Sequence, residues 1–190
     1  MRPRPWTAKP LSYTWGSSKE ETHRITVDNG IAYPVAENLH LALHQLQHPS
    51  RQRVLWVDRI CINQREVRER NYQVAQMRAI YEGARLVIVW LGVEDRTSAV
   101  ITASVERLGM RIVEAGLKRV SIPMMASKFE WAKELLPVMQ SSLGEMEVDS
   151  PWTAGMVAFL NRPWWSWIWV WQEPAMARRA EFICGPLILD

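Results

Sequence analysis

The chain has 190 residues, a hydrophobic fraction of 48% and 11 tryptophans, which suits one globular domain, or one domain with a sizeable insertion. The net charge is only +3, and because the lysines and arginines form no block or stripe, a nucleic-acid partner is not expected. No apolar run approaches the roughly 20 residues of a membrane span, no signal peptide is recognisable, and two cysteines argue against a disulfide framework, so we expect a cytoplasmic protein with no membrane contact.

The first third of the chain predicts a strand, a hairpin and a helix. Residues 1–9 are rich in proline and arginine and are expected to form a tail, and Leu11–Trp15 is predicted to be a strand. Two runs of β-formers flank Asp28-Asn29-Gly30, and Asn-Gly in this setting is a strong hairpin signal. Asn38 precedes apolar residues at helical spacing, so we expect it to cap a helix.

The stretch Leu55–Gln64 is the centre of the pattern. Its apolar start, Val54–Val57, predicts a buried strand that ends at Asp58. Asn63 followed by Glu66 is an asparagine version of the helix-capping pattern. We therefore expect a loop after the strand and a new helix that starts at Asn63.

The following helix and strand complete an alternating order. The apolar stripe of this helix is expected to contain Val67, Val74, Met77, Ile80, Tyr81 and Ala84. Residues 86–91 form a second apolar run, which predicts a buried strand closed by Gly92. Because strands alternate with helices, we expect a mainly parallel sheet covered on both faces, with Gly16, Asp58 and Gly92 on its carboxyl edge.

The second half of the chain is less regular. Residues 95–150 are predicted to form a helical insertion, and residues 182–185 a last short strand. Pro163 suits the first position of a helix, and five tryptophans follow between 164 and 171. Pro174 disfavours helical geometry at Glu173, so we expect a helix to break at Glu173 or a new one to start there.

These motifs, in this order, resemble the heterokaryon incompatibility (HET) domain of fungi. The residues that carry the resemblance are Leu11–Gly16, Asn38-Leu39, Ala42-Leu43, Leu55–Asp58, Ile60–Gln64, Glu69-Arg70, Gln73-Val74, Met77, Ile80-Tyr81, Ala84, Trp90–Gly92, Arg162–Trp165, Ile168–Val170, Gln172-Glu173 and Cys184-Gly185. Residues 1–190 are therefore interpreted as a single HET domain with the tail 1–9 and the helical insertion 95–150.

The resemblance implies a role in fungal non-self recognition, in which fusion of genetically different cells ends in programmed cell death. The HET domain is also similar to TIR domains, which implies a TIR/flavodoxin-like, three-layer α/β domain with a mainly parallel sheet, an early β-hairpin and a helical insertion. Some TIR domains cleave NAD⁺ with one glutamate on a helix and a tryptophan four residues before it. Trp169 and Glu173 have this spacing, which places them on one helical face.

The implied reaction defines the candidate site. Breaking the bond between nicotinamide and ribose passes through an oxocarbenium-like state, which one carboxylate can stabilise. Glu173 is the hypothesis for this catalytic carboxylate. The substrate-binding candidates are Asp58 as a second polar group, Tyr13, Trp15 and Trp169 as aromatic walls, and Asn63 and Gln64 as loop donors. NAD⁺ would be the substrate, with no bound cofactor and no metal.

Structural explanations stay open for the same side chains. Glu173 could pair with an arginine such as Arg162 or Arg178, and Asp58 could cap its own turn or brace the loop through Arg59. Trp15 could equally belong to the core or to an interface.

Two other functions stay open as well. One is a non-enzymatic, self-associating signalling module with an exposed tryptophan patch from residues 164–171. The other is an inactive short regulator of longer relatives, which Trp167, where the family usually has arginine, and Pro174 would favour. The expected partners are a second copy of the chain or other incompatibility proteins.

Overall fold

The computed structural model describes residues 7–16, 21–27, 30–96, 98, 155, 157–159 and 161–189, with the backbone alone at 168–171 and 189. The chain divides into two compact units. One consists of residues 1–93, 162–188 and 190, and the other of residues 94–161 and 189. Nearly all of the predicted insertion, 95–150, and residues 1–6 of the predicted tail lie outside the described residues. No helix in the described ranges is long and apolar enough to cross a membrane.

Twelve secondary-structure elements have both of their bounds within the described residues. In chain order they are β1 (Lys9–Ser12), β2 (His23–Val27), β3 (Ile31–Val35), α1 (Glu37–Gln45), β4 (Leu55–Trp56), α2 (Asp58–Cys61), α3 (Val67–Gly83), β5 (Val87–Trp90), a 3₁₀ turn (Pro163–Ser166), α4 (Ile168–Met176), β6 (Ala180–Cys184) and β7 (Leu187–Leu189).

The main sheet has five strands in the order β4-β1-β5-β6-β7. β1 runs parallel to both β4 and β5, and β5 runs parallel to β6, with Leu11 opposite Ile88 and Val89 opposite Phe182. β7 follows β6 after the two-residue turn Gly185-Pro186. Counted along the chain the order is 2-1-3-4-5, one of the two common orders of doubly wound α/β folds. The prediction of an α/β fold with a mainly parallel sheet is confirmed.

The early hairpin is also confirmed, but it forms a sheet of its own. β2 and β3 are antiparallel, with Val27 opposite Ile31, and they pair only with each other in the described part of the chain. Gly30 has a φ of +105°, which a glycine adopts without strain. Residues 28 and 29 of the predicted turn lie outside the described residues.

The core lies between the sheet and α1. All four residues of β5 are buried, as expected for an interior parallel strand covered on both faces. The shared core cluster combines sheet residues with residues of β3 and α1 and contains Leu11, Tyr13, Val35, Leu39, Ala42, Leu46, Val57, Ile88, Trp90 and Ile183. Leu39, Ala42 and Leu46 recur at helical spacing, so one face of α1 covers this side of the sheet.

The prediction that Asn38 caps α1 is wrong. The helix begins at Glu37, and its N-cap is Ala36, which makes no side-chain cap bond. The amide of Asn38 instead makes tertiary hydrogen bonds: Nδ2 donates to the carbonyl of Thr14 at 2.8 Å, and Oδ1 accepts from Nε1 of Trp90 at 2.8 Å. Asn38 therefore joins the carboxyl ends of β1 and β5.

The predicted start of α3 is wrong for a similar reason. The helix begins at Val67 after the N-cap Glu66, whose side chain accepts a hydrogen bond from the backbone of Arg68 at 3.1 Å. Asn63 makes an Asx turn with the backbone of Arg65 at 3.2 Å. The short helix α2 already occupies part of the predicted loop.

The predicted apolar stripe of α3 holds only at its C-terminal end. Ile80 and Tyr81 are buried, whereas Val67 and Val74 are more than half exposed. Only the last turns of α3 therefore pack on the core within the described structure.

The boundaries of the edge elements also differ. β1 ends at Ser12 rather than Trp15, and β4 is limited to Leu55–Trp56, while Val54 is exposed. Within the described part of the chain β4 is an edge strand that pairs with β1 alone. The predicted helix start at Pro163 is confirmed as the first residue of a 3₁₀ turn.

The helix does not break at Glu173. α4 runs from Ile168 to Met176 with Pro174 inside it, so both expected alternatives are wrong. A proline removes one backbone donor to the carbonyl four residues earlier. Since Pro174 stands close to the end of this short helix, the lost bond affects a single carbonyl.

Substituting Gly92 is expected to destabilise the fold. Gly92 follows β5 with a φ of +103°, and an added Cβ would lie 3.3 Å from Nη1 of Arg162. That guanidinium donates to the carbonyls of Leu91 at 3.0 Å and Val93 at 2.9 Å, so it is not free to move away. We expect Gly92→Ala to lower the free energy of unfolding by about 2 kcal/mol in urea titrations.

Gly83→Ala is the matched control, because Gly83 ends α3 and its added Cβ would meet open space. This variant should be neutral or slightly stabilising, since alanine is the better helix former. Equal effects of the two substitutions would contradict the expectation for Gly92.

Candidate functional site

The candidate site lies at the carboxyl edge of the sheet. β1, β4 and β5 are parallel, so their carboxyl ends meet at one edge. Tyr13 follows β1, Asp58 follows β4 after Val57, and Gly92 follows β5. α4 packs against α3, β1 and β5 and carries Glu173 to the same region. The predicted placement of Asp58 and Gly92 on this edge is confirmed.

The carboxylate of Asp58 is held by two donors. Its Oδ2 accepts from Nε1 of Trp15 at 2.8 Å, and its Oδ1 accepts from the backbone nitrogen of Arg59 at 2.6 Å. Burial raises the pKa of Asp58 to about 6, although hydrogen bonds from Trp15, from the Arg59 backbone and from Tyr13 lower it. Oδ1 of Asp58 therefore accepts from its own turn, as the capping explanation expects, whereas Oδ2 accepts a hydrogen bond from Trp15.

Glu173 is buried and held by hydroxyl groups. It is 8% exposed, and the side chains of Ser12 and Tyr81 hydrogen-bond to its carboxyl group. Burial, helped by the charge of Asp58, raises the pKa of Glu173 to about 7, while the bonds from Ser12 and Tyr81 lower it. None of these described partners is an arginine. Near neutral pH the carboxyl group is thus divided between its two protonation states.

A second layer of contacts fixes the partners of Glu173. Nε1 of Trp164 donates to Oγ of Ser12 at 3.1 Å, which orients the serine hydroxyl. Burial, followed by the charge of Glu173, raises the pKa of Tyr81 well above its usual value, so its hydroxyl stays protonated and can donate.

Tyr13 is a buried tyrosine beside Asp58. Its side chain is 4% exposed, and its hydroxyl makes no hydrogen bond of normal geometry to the described residues. It lies near Asp58, and burial and then the charge of Asp58 raise the pKa of Tyr13 well above its usual value. The protonated hydroxyl is therefore a weak donor to Asp58, whose pKa it lowers.

The remaining candidates are placed differently. Gln64 donates through Nε2 to the backbone carbonyl of Asp58 at 3.0 Å, so it braces the loop. Asn63 is exposed and is occupied by its Asx turn and by a bond from its backbone nitrogen to Glu69 at 3.0 Å. The backbone of Trp169 lies in α4 four residues before Glu173, and its side chain lies outside the described residues.

Sequence reasoning missed Ser12 and Tyr81. Ser12 is a fully buried polar residue within a strand, and Tyr81 belongs to the buried end of α3. A serine in an interior strand of the sheet is a usable signal of a polar contact, because a buried hydroxyl needs a hydrogen-bond partner. The hydroxyl of Tyr81 gives no signal, since the residue fits an apolar helix stripe.

An open cleft adjoins the Asp58 side of the site. It has a volume of about 210 Å³ and is lined by Tyr13, Trp15, Gly16, Glu21, Ala36, Leu39 and Arg59. This is smaller than the ~300–1,000 Å³ of typical small-molecule pockets, so it suits one part of a larger ligand. Glu173 does not line this cleft.

The tryptophans after Pro163 are partly structural. Trp164 is buried and packs edge-on against Phe182 at 5.8 Å, while Trp165 is half-buried and stacks on the same ring at 6.2 Å. Trp167 is 54% exposed. Among the described side chains of this segment, an exposed patch would therefore rest on Trp167 alone.

Comparison with known proteins adds two findings. The profile described as heterokaryon incompatibility protein (HET) matches residues 9–173. The chain is 29% identical over 197 residues to heterokaryon incompatibility protein 6, OR allele, of Neurospora crassa, an alignment that covers 92% of this chain. The chain spans about 28% of the length of that curated relative. No solved structure gives a significant match.

Proposed function

Because this chain belongs to the heterokaryon incompatibility (HET) family, we propose that it acts in fungal incompatibility and cell death by hydrolysing NAD⁺ with Glu173 as the catalytic carboxylate. The Neurospora crassa relative is named a heterokaryon incompatibility protein. The resemblance to TIR domains supports the enzymatic part of the proposal, because some TIR domains cleave NAD⁺ with one glutamate on a helix, and Glu173 lies on a helix at the carboxyl edge of the sheet.

The observation that carries the proposal is the state of Glu173. A buried carboxyl group with a pKa of about 7 can be either a proton acceptor or a developing-charge stabiliser near neutral pH. A carboxylate used for catalysis must also be oriented, and the hydroxyls of Ser12 and Tyr81 provide this. α4 continues through Pro174, so Trp169 and Glu173 share one helix with four-residue spacing.

The proposed reaction uses water and releases one proton. The bond between C1′ of ribose and the nicotinamide nitrogen breaks, and nicotinamide leaves with the bonding electron pair. The Glu173 carboxylate stabilises the positive charge that develops on the ribose. Water then attacks C1′ and gives its proton to a carboxylate, for which Asp58, with a pKa of about 6, is the second candidate. The products are nicotinamide and ADP-ribose.

Access to Glu173 must change during this reaction, since only 8% of the residue is exposed in the free chain. We propose that self-association or substrate binding makes Glu173 accessible to the substrate. The rate per chain is then expected to rise with protein concentration if self-association is the opening step.

The test is nicotinamide release from NAD⁺ by the purified 190-residue chain, followed by chromatography over a range of protein concentrations. Release should fall by about 10²–10⁴-fold in Glu173→Gln, the range of losses typical of a removed acid or base. Glu82→Gln is the control, because Glu82 pairs with Arg78 on exposed α3. Full release by Glu173→Gln would contradict the assignment. A folded chain without any release would favour the non-enzymatic module or the inactive regulator.

A further inference from the structure

The amino edge of the sheet brings together basic residues that are dispersed along the sequence. Each of the four parallel strands starts at or shortly after one of them: Lys9 at β1, Arg53 before β4, Arg85 before β5 and Arg179 before β6. Because parallel strands start at the same edge, these residues lie at the end of the sheet opposite to Asp58. The fold thus creates a basic edge that the sequence alone does not show.

A cleft lies at this amino edge. Its volume is about 510 Å³, which falls within the ~300–1,000 Å³ of typical small-molecule pockets. Its lining includes Lys9, Arg85, Leu86, Arg179 and Glu181, and the other lining residues are uncharged. Three basic residues therefore face one acidic residue, and we name this space the amino-edge cleft.

The strand register fixes the spacing of two of these basic residues. Leu11 lies opposite Ile88, so two residues earlier Lys9 is level with Leu86. The backbone nitrogen of Val87 donates to the carbonyl of Arg179 at 2.9 Å, which joins β5 to the start of β6. Lys9 and Arg179 therefore lie on either side of β5, with backbones separated by two strand spacings, or roughly 10 Å.

The charges of the amino-edge cleft are weakly compensated. Arg179 approaches Glu181 at 3.6 Å, and because the side chain of Arg179 is 56% exposed, this ion pair contributes little stability. Among the described residues, no carboxylate lies within ion-pair distance of Lys9 or Arg85.

The arginines of the carboxyl edge are compensated more fully. Arg59 forms an ion pair with Glu21, and both side chains are only about a quarter exposed, at 26% and 24%. The guanidinium of Arg162 donates to two backbone carbonyls. Within the described structure, the amino-edge cleft is therefore the better place for an anion from solution.

We propose that the amino-edge cleft binds a chain of linked phosphates, either free or as the triphosphate of a nucleotide. A linked chain can contact basic side chains on both sides of β5, whereas a single phosphate is too short to contact all of them well. Arginine offers phosphate oxygens a two-point contact, and lysine offers a point charge. No aromatic residue is among the described residues that line the cleft, so we expect recognition of the phosphates rather than of a base.

This proposal goes beyond the proposed function, because it uses none of the residues at the carboxyl edge. A ligand at the amino edge does not contact Glu173, so it is a second ligand of the chain and not the substrate of that carboxyl group. Binding can therefore be measured without any turnover of NAD⁺.

The same arginines also have a structural role that the test must separate from binding. α3 ends at Gly83 and α4 at Met176, so Arg85 and Arg179 follow helix C-termini, where cations stabilise the last carbonyls. This role would change the stability of the chain, but it would not distinguish one anion from another.

The test is calorimetric titration of the 190-residue chain with tripolyphosphate, ATP and orthophosphate, at low ionic strength and without divalent cations. We expect tripolyphosphate to bind at least about tenfold more tightly than orthophosphate, because it makes several charge-assisted contacts at once, and to weaken as salt screens the charges. Equal binding of the two would indicate unspecific anion attraction and overturn the proposal, as would undetectable binding of tripolyphosphate at millimolar concentration. An oligonucleotide with the same number of phosphates that binds more tightly would overturn it in favour of a nucleic-acid interface.

Substitutions locate the site. Arg85→Gln and Arg179→Gln should each weaken tripolyphosphate binding about tenfold, whereas Glu181→Gln should tighten it severalfold, because it removes the carboxylate that competes for Arg179. Folded variants of Arg85 and Arg179 that lose stability but bind as the wild type does would show a structural role alone and overturn the proposal. Weaker binding by Glu181→Gln would contradict it independently.

Arg68→Gln is the matched control, because it removes one exposed positive charge from the first turn of α3, at the opposite end of that helix from Arg85. It should leave binding nearly unchanged, and a loss equal to that of Arg85→Gln would mean that only the net charge matters. Glu173→Gln should bind tripolyphosphate as the wild type does. A chain that binds tripolyphosphate but releases no nicotinamide would contradict the proposed function and leave this proposal standing.

Discussion

Replacing Glu173 with glutamine should raise the free energy of unfolding at pH 8 by up to about 3 kcal/mol, since each unit of pKa shift corresponds to ~1.4 kcal/mol. Burial raises the pKa of Glu173 from 4.5 to about 7. At pH 8 the folded chain therefore contains a carboxylate in a place that favours the neutral acid. Glutamine has nearly the same shape, is neutral at every pH, and its carbonyl oxygen can accept from Ser12 or Tyr81.

The direction of the pH dependence follows from proton binding. Unfolded chains lose the Glu173 proton near pH 4.5, whereas folded chains keep it until about pH 7. Between these values the folded state binds more protons, so the stability of the wild-type chain falls as the pH rises. Below pH 4.5 both states are protonated, and the advantage of glutamine should disappear. The raised pKa of Asp58 also makes the stability fall as the pH rises, at lower pH than for Glu173. Asp58 is present in both the wild-type chain and the Glu173→Gln variant.

Urea titrations at pH 4.5 and pH 8 would measure this effect. The difference in stability between Glu173→Gln and wild type should be small at the lower pH and largest at the higher. Glu82→Gln should show no such change, because Glu82 is exposed on α3. A difference that does not depend on pH would contradict the raised pKa. A stabilised variant without nicotinamide release would be a stability–activity trade-off of the kind that active sites impose.

Asn38→Ala should lower the free energy of unfolding by about 3 kcal/mol, because buried donors and acceptors lose their partners at ~1–3 kcal/mol each. Nδ2 of Asn38 donates to the carbonyl and to Oγ1 of Thr14, at 2.8 and 3.0 Å, and Oδ1 accepts from Nε1 of Trp90. Trp90 is 1% exposed. Its indole N–H would be left buried and unpaired.

A double-mutant cycle with Trp90→Phe would test this explanation. Trp90→Phe removes the indole donor, so the additional cost of Asn38→Ala should fall by about 1–2 kcal/mol when it is measured in the Trp90→Phe variant. Asn71→Ala, on the exposed surface of α3, is the control and should be neutral or slightly stabilising. Strict additivity at Asn38 and Trp90 would mean that the bond between them contributes little.

The sheet was predictable because its interior strands are apolar on both faces. Val87–Trp90 is buried at every position, and such a run has few alternatives when turn residues bound it. The carboxyl edge then followed from the handedness of parallel connections. The short edge strand β4 and the hairpin strand β7 were less predictable, since two or three residues carry too little pattern.

The polar residues were predictable only where their partners are local. Asn38 and Asn63 fit helix-capping patterns, but Asn38 bonds to Thr14 and Trp90, which lie 24 and 52 residues away. A local pattern cannot contain such partners. Val67 and Val74 fit an apolar stripe, yet no described element covers that end of α3, so they remain exposed.

The candidate site was half predictable. Asp58 and Glu173 follow from edge placement and from the family resemblance, and the structure brings each within the electrostatic reach of the other. The roles of Ser12 and Tyr81 depend on how α3 and α4 pack, and the pairing of Arg59 with Glu21 depends on how residues near the hairpin approach the cleft. Packing of this kind is set by the whole core rather than by any one segment.

The position of β5 in the sheet has a consequence during synthesis. β5 lies between β1 and β6, but β6 begins 90 residues after β5 ends. At ~5–20 residues per second, the ribosome leaves one side of this apolar strand without its neighbour for roughly 5–20 s. An unpaired apolar edge invites pairing with other nascent chains, so we expect this chain to need chaperone protection in that interval. The same delay postpones assembly of the carboxyl edge, because Glu173 and Trp164, whose indole orients Ser12, are also made late.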